Sequence, residues 1–469
     1  IYMPKAQNSV MKPHRSNTLT NPKYLNNPLL LFVFFWLANF ILYLPASRAG
    51  LEGDFPYWAA SIDSQSFWDF INAKGASLPF LHQFTQIVRY LFLSVWGYNT
   101  LTWHLLHISL NAIIALLLFN VFRKILKDSH IEHPYAISFG GVLLFCVTPH
   151  ATEVVVREMC YHYLQGFIFI LLIVGYLLRF LETRNTKYAW LSGIIFFIST
   201  FSLEIFYLTP WVVLLVIAYY RIALGYERKV CLKSVVLFFV PQIIMFFGHL
   251  VLLRIVWGNR IAHIGTLSFS NPVGLLSKPI LYFFHIIFLG RYFPQTLKIK
   301  IYSVFESGTA VYSFYAIALL LFLTAFLFFS KLQKKIQAII LFALISIAFV
   351  FLAVPLDFAT ILYIIGDRYI YIPSAFTSII FALLASLISY RPAAVAIFSS
   401  YLLLNVYYTA KTNQSTYYAA TITKSLLTEV PSPGNKKILL LNLPACMNGA
   451  LMIRAQDESE FKLMNNMFY

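Results

Sequence analysis

The sequence predicts an all-α polytopic membrane protein: about eleven transmembrane helices, a re-entrant or interfacial segment, and a long first external loop. Three observations lead there. Of 469 residues, 59% are hydrophobic and only 11% are charged, against about 25% charged in a soluble domain. The apolar runs are about 18–22 residues long and do not alternate, which suits helices rather than barrel strands. Basic residues punctuate the gaps between the runs, as expected of cytoplasmic connections.

Taken in order, residues 1–27 form a polar amino-terminal tail, expected on the cytoplasmic side. The chain opens on Ile1, so Met3 or Met11 is a candidate start unless the amino end is incomplete. No cleavable leader is evident, and the run from Pro28 to Leu44 has the length of a retained anchor. Residues 45–100 are polar and aromatic and form the first external loop; its WAASID and FWDFINAK segments suggest short helices at the membrane surface. Further spans are expected near 101–122, 135–149, 160–180, 188–207, 209–224 and 234–257, then 310–330, 336–354, 370–389 and 392–410. The run 279–290 is short and bracketed by Lys278 and Arg291. The charge map leaves both ends of its loop outside, so re-entry is preferred over crossing. Residues 28–410 are thus one membrane domain. The remainder, 411–469, is expected to be an external tail, with a strand-like run at Ile438–Leu443.

The formal charge of +17 does not indicate nucleic-acid binding. The basic residues are scattered over short connections: Arg123, Lys124 and Lys127; Arg179, Arg184 and Lys187; Arg221, Arg228, Lys229 and Lys233; Lys331, Lys334 and Lys335. Topology accounts for that distribution and sets the amino terminus inside. The four cysteines are far apart and form no CxxC pair, which points to packing roles.

Acids are rare, and on this topology they gather on the outer side. Glu52 and Asp54 follow the first span in LEGDFPYW. Glu153, Arg157 and Glu158 lie in PHATEVVVREMCYHY, with His150 and His162 nearby. Glu204 lies in FSLEIFYLTP, and Asp357, Asp367 and Arg368 lie in LDFATILYIIGDRYIYIPS. Each has an ordinary structural explanation: Glu52 and Asp54 as solvated helix-end residues, Glu153 and Arg157 as an i,i+4 pair, and His104, His107, His249 and His285 as packing residues. Charged groups at a membrane boundary are costly unless paired or wet, however, and four connections supply acids, imidazoles and guanidinium groups to one face. Those are the groups that acid–base and phosphate chemistry requires. No HExxH, P-loop, GxSxG or Rossmann signature is present.

The order of these segments resembles the GT-C class of membrane glycosyltransferases, most nearly the protein O-mannosyltransferase branch and its tetratricopeptide-bearing relatives. The resemblance runs over about residues 28–410 and rests on the acid after the first span, HLLHISLNAIIALLL, PHATEVVVRE, SLEIFYLTP and GDRYIYIPS. The repeats of those relatives are absent. The resemblance implies a GT-C-like fold and an inverting transfer of sugar from a polyprenyl- or dolichyl-phosphate donor to a hydroxyl of a protein, lipid or glycan on the outer face. It implies that Asp54, with Glu52, is the catalytic acid that deprotonates or orients the acceptor. Glu153, Arg157, His104, His107 and Glu204 fall at positions that support or position the acceptor. Arg368 matches the family arginine that holds the lipid phosphate, with Tyr369 beside it and Asp367 where Glu is usual.

One departure stands out. Relatives carry Arg-Pro in the first external loop where this chain has SLPFLHQF, around Leu78 and Pro79. His82 and Arg89 are candidates to take that arginine's place, and Lys278, Arg291 and Lys298 offer another way to hold phosphate. The departure keeps a second reading open, a catalytically degenerate GT-C scaffold serving as a subunit with a membrane protein partner. A lipid or sugar transporter is a third, for which ionisable residues near the bilayer midplane are expected. No metal is assigned, because Glu52 and Asp54 alone are too few ligands for a divalent ion. A bacterial cytoplasmic membrane is favoured over the endoplasmic reticulum.

Overall fold

The computed structural model describes residues 27–49, 66–71, 83–202, 204–257, 272–351, 364–429, 446–447 and 450–451. Fifteen helices carry the description: α1 Pro28–Tyr43, α2 Gln83–Trp96, α3 Thr100–Asp128, α4 Pro134–Cys146, α5 Thr152–Val156, α6 Tyr161–Thr183, α7 Lys187–Ser199, α8 Thr209–Ile222, α9 Val240–Trp257, α10 Pro272–Phe288, α11 Gln295–Glu306, α12 Gly308–Leu327, α13 Lys334–Phe351, α14 Tyr371–Ala385 and α15 Arg391–Glu429. A short helix at Phe67–Ile71 falls on the FWDFINAK segment. The only strands among the described residues are Cys446–Met447 and Ala450–Leu451, paired antiparallel. The run Ile438–Leu443 and the WAASID segment lie outside the described residues.

The protein is an integral, multi-pass, all-α membrane protein. Seven of the described helices are long and apolar enough to cross a bilayer, or eight if a bent pair counts as one span. Among the described residues the expected count of eleven is therefore not reached. All eleven expected spans fall on helices, but α1, α7 and α14 have 16, 13 and 15 residues, short of the length that hydrocarbon requires of a straight crossing. The fourth shortfall is α4, which stops at Cys146 and meets Pro149–Val156 at 55°.

The core is built around α3, which packs against α1, α4 and α6, while α14 fills the space between α4 and α13. At its centre Phe122 meets Phe342 and Phe376 with ring centroids 5.2 and 6.0 Å apart. The α4–α14 contact depends on a glycine. A Cβ on Gly141 would lie 2.9 Å from the Ile379 Cα, so only a hydrogen there lets the backbones approach. A neutral polar chain ties three helices together inside this core. Asn111 on α3 donates to Asn39 on α1 at 2.7 Å, and Tyr371 on α14 donates to Asn111 at 2.6 Å. Cys146, Cys160 and Cys231 are buried, in keeping with packing roles.

Two features depart from the sequence reading in ways that shape the site. The run 279–290 falls, as far as Phe288, on the carboxyl part of a longer helix, α10, which begins at Pro272 and carries Pro279 inside it. More consequentially, α15 does not stop near 410 but runs 39 residues to Glu429. Its far half is not solvated tail: Asn413 donates to the Leu42 carbonyl at 3.0 Å, and Thr409, just before it, to the Val147 carbonyl at 2.7 Å. It thereby clamps the ends of α4 and α1.

Candidate active site

The site forms where helices break. Pro149 cannot donate a backbone hydrogen bond and disfavours helix in the residue before it; Thr148 is accordingly extended, with φ −72° and ψ 134°. The chain folds into short turns, Pro149–Ala151, α5 and Glu158–Cys160, before α6 begins. These turns carry His150, Glu153 and Glu158 into the interior, each at most 3% exposed. A second break, the turn Ile364–Tyr369, brings Asp367 and Arg368 against α5. A third follows α10: Leu289 adopts a left-handed φ of 53°, and Gly290–Tyr292 turns the chain so that Arg291 points inward. Any side chain at residue 290 would collide with the Phe284 ring.

Glu153 is the hub. Its Oε1 accepts from Arg157 Nη1 at 3.1 Å, its Oε2 accepts from the Arg368 backbone N–H at 2.9 Å, and Arg368 Nη1 lies 3.6 Å from Oε1. Asp367 is ion-paired with Arg291, and His150 Nδ1 lies 3.9 Å from the same carboxylate oxygen. Tyr369 accepts a hydrogen bond from Arg368 Nη2 at 3.1 Å and offers its ring to the guanidinium at 5.0 Å. The pair Arg291–Asp367 bridges 76 positions of sequence, so the α10–α11 hairpin is bolted to the loop before α14.

Among the described residues, positive charge is in excess here. Arg157, Arg291, Arg368 and the half-buried Lys298 of α11 face two carboxylates, Glu153 and Asp367. Burial works to lower the Arg368 pKa, but the Glu153 carboxylate beside it carries it well above the ordinary value. Arg291 is held below its ordinary value by burial, against which Tyr292 and Glu153 act. Lys298 is lowered by burial and by the Arg291 charge. Arg291 is 8% exposed, and its Nη2 makes no hydrogen bond among the described residues. A buried guanidinium with an unmet donor in a positively charged cluster suits an anion.

Behind α5 lies a second buried group. His104 on α3 sits 3.7 Å from Glu158 and hydrogen-bonds the Ala49 backbone. His107 Nδ1 meets the Val154 carbonyl at 3.1 Å, which requires a proton on that nitrogen. These two histidines brace α5 and the start of the first external loop rather than facing the arginine cluster. Arg89, a candidate for the missing Arg-Pro arginine's place, lies on α2 and is 6% exposed. Its guanidinium donates to the Met159 carbonyl at 2.8 Å and reaches His162 at 3.4 Å, and so fastens α2 to the Glu158–Cys160 turn.

The structure thus brings together Glu153, Arg157, Asp367, Arg368, Tyr369, Arg291 and Lys298, with His104 and His107 one layer behind. Glu204 falls in the turn Glu204–Leu208 between α7 and α8, and its side chain lies outside the described residues. Asp54, Glu52 and His82 lie outside them as well. Among the described residues no group of three or more His, Cys, Asp or Glu is gathered to hold a metal ion. Sequence reasoning did not single out the support from α15: Tyr292 bonds Thr412 at 2.9 Å and stacks on Tyr408 at 4.1 Å. The signal was there, since no Gly or Pro follows Pro392 until Pro431.

No protein-family model matches the chain, and no curated protein matches it. Among solved structures, the archaeal oligosaccharyltransferase AglB from Archaeoglobus fulgidus, in complex with an inhibitory peptide and a dolichol-phosphate, superposes with a TM-score of 0.40 at 12% identity, over 89% of this chain and 61% of that chain. The chain therefore spans less than two thirds of that protein's length. A likeness of that depth assigns neither family nor activity.

Proposed function

We propose that the protein is a glycosyltransferase that moves a sugar from a polyprenyl-phosphate donor to an acceptor hydroxyl at the outer face of the membrane. The observation that carries this reading is the buried, positively charged cluster with the unmet Arg291 Nη2, set at helix breaks of a bundle otherwise surrounded by lipid. A donor dissolved in the bilayer reaches such a site through its phosphate while its tail stays in hydrocarbon. Arg291 and Arg368, helped by Lys298, hold that phosphate and stabilise the charge it gains as it leaves. Glu153 and Asp367 keep the two arginines oriented, and Tyr369 fixes the Arg368 guanidinium.

The reaction balances without a cofactor. The acceptor oxygen attacks the anomeric carbon while the bond from that carbon to the phosphate oxygen breaks. The bond's electrons leave with polyprenyl phosphate, and the acceptor proton passes to the carboxylate of Asp54, assisted by Glu52. Attack opposite the leaving group inverts the configuration. The resemblance to GT-C transferases in the order of motifs supports the same roles.

Purified full-length protein in liposomes, supplied with a polyprenyl-phosphate sugar and a hydroxyl acceptor, tests this. Asp54→Asn is expected to lower transfer roughly 10²–10⁴-fold, the usual contribution of a general base; undiminished transfer would overturn the assignment. The scaffold reading keeps one specific point in its favour, that Arg89 is engaged with Met159 and His162. It gains if the wild type transfers no sugar from any lipid-phosphate donor. The transporter reading fares worse, because the mid-bundle polar chain of Asn39, Asn111 and Tyr371 is uncharged.

A further inference from the structure

A separate cavity opens at the other end of the bundle. The helix α3 is about 43 Å long at 1.5 Å per residue; His104 and His107 lie in its first turns, behind the charged cluster, and its other end meets a pocket beyond Asp128. This pocket has a volume of about 450 Å³ and is lined by the His130–Glu132 turn, by Gln333, Lys334 and Lys335 at the start of α13, and by Ser386–Ser389 after α14. The helices α13 and α14 span between the same two ends in the same way: Val350 packs against Ile370 near the site, while Lys334 and Ser386 face the pocket.

Its chemistry is distinctive. Lys334 donates to the Ala223 carbonyl at the end of α8, and Lys335 to the Ser386 carbonyl at 2.9 Å. Carbonyls hold the two ammonium groups in place but do not neutralise them. Neither lysine makes an ion pair among the described residues, and Glu132 is the only carboxylate in the lining. Lys331 and Arg391 flank the lining segments in sequence, adding to the positive field. Serine hydroxyls and the His130 ring supply further polar groups, and Ile131, Leu387 and Ile388 supply an apolar wall. The volume is within the range of small-molecule sites.

We propose that this pocket binds the phosphate of an anionic membrane lipid, a phosphatidylglycerol-like headgroup seated between the ends of α3, α13 and α14. A lipid source is favoured over free phosphate because the cavity combines uncompensated lysines with an apolar wall at the ends of bilayer-length helices. Basic pockets between transmembrane helices hold such headgroups on the cytoplasmic side, which is the side the charge distribution assigns to this end. The proposal does not depend on the sugar-transfer reading.

The test is thermal unfolding of the full chain in neutral detergent, titrated with phosphatidylglycerol, with phosphatidylcholine, or with inorganic phosphate. Phosphatidylglycerol is expected to raise the unfolding temperature at concentrations where the other two do not. Lys334→Gln combined with Lys335→Gln is expected to weaken that binding roughly 30-fold, at about 1 kcal/mol per basic residue. If the double variant does not fold, Glu132→Gln decides, since removing the lining carboxylate should tighten binding. Equal protection by phosphatidylcholine or by inorganic phosphate overturns the lipid assignment. So does a lysine-free pocket that binds as before, or a Glu132→Gln variant that binds no better than wild type.

Discussion

Among the described residues, the two ends of the bundle both carry an excess of positive charge, and they hold it in opposite ways. At the α5 end, Arg157, Arg291 and Arg368 are set on short turns, braced by Glu153 and Asp367, with Arg291 8% exposed. At the Lys334 end, the lysines ride on helix termini and lean on backbone carbonyls. The first arrangement fixes the geometry of each guanidinium and costs desolvation, which is worthwhile only if something with matching charge must be held. The second suits a headgroup layer, where position along the membrane normal matters more than angle. Charge count alone does not separate a reaction site from a topological signal; burial and bracing do.

Substitutions that remove one brace should break the contrast most strongly. Arg291→Met leaves Asp367 buried without its partner, and is expected to cost about 3–5 kcal/mol of stability and to lower sugar transfer roughly 10²–10³-fold. Adding Asp367→Asn should restore most of the unfolding temperature but not the transfer rate, measured on the same preparations. If the double variant recovers transfer, the pair is structural only. Glu153→Gln comes next. It weakens the hold on both Arg157 and Arg368, so transfer should fall about tenfold or more while unfolding shifts by roughly 1–3 kcal/mol.

Neutral sites of the core sharpen the comparison from the other side. Gly141→Val forces α4 from α14 and should cost roughly 1–3 kcal/mol by overpacking, and Asn111→Ala should cost roughly 0.6–2 kcal/mol. Both should leave the transfer rate of the folded fraction near that of wild type; a rate loss larger than the folded-fraction loss would place the core in the mechanism. The smallest effect is expected from exposed Lys127→Gln, within about 0.5 kcal/mol and without change in transfer.

Much of this architecture was legible beforehand, for physical reasons. Uninterrupted apolar length located the spans, and the i,i+4 spacing of Glu153 and Arg157 anticipated their contact at 3.1 Å. Lengths were read less well. The run through Ser199 stops early because the chain turns at Thr200–Ser202, and α15 continues because nothing in KTNQSTYYAATITK breaks a helix. The polar composition beyond residue 410 suggests solvent exposure, whereas Thr412 and Asn413 are buried and hydrogen-bonded to neighbouring elements. The Arg291–Asp367 pair was hidden for another reason. It depends on α10 and α11 folding back, and no local pattern encodes a contact across that distance.

The account turns on the claim that the buried arginines hold a lipid phosphate. A structure of the full chain with polyprenyl phosphate bound tests this most directly. The account expects the phosphorus group within hydrogen-bond reach, about 2.7–2.9 Å from its oxygens, of the Arg291 and Arg368 guanidinium groups, with the isoprenoid tail leaving into the bilayer. Phosphate bound only beside Lys334 and Lys335, with Arg291 untouched, would contradict it.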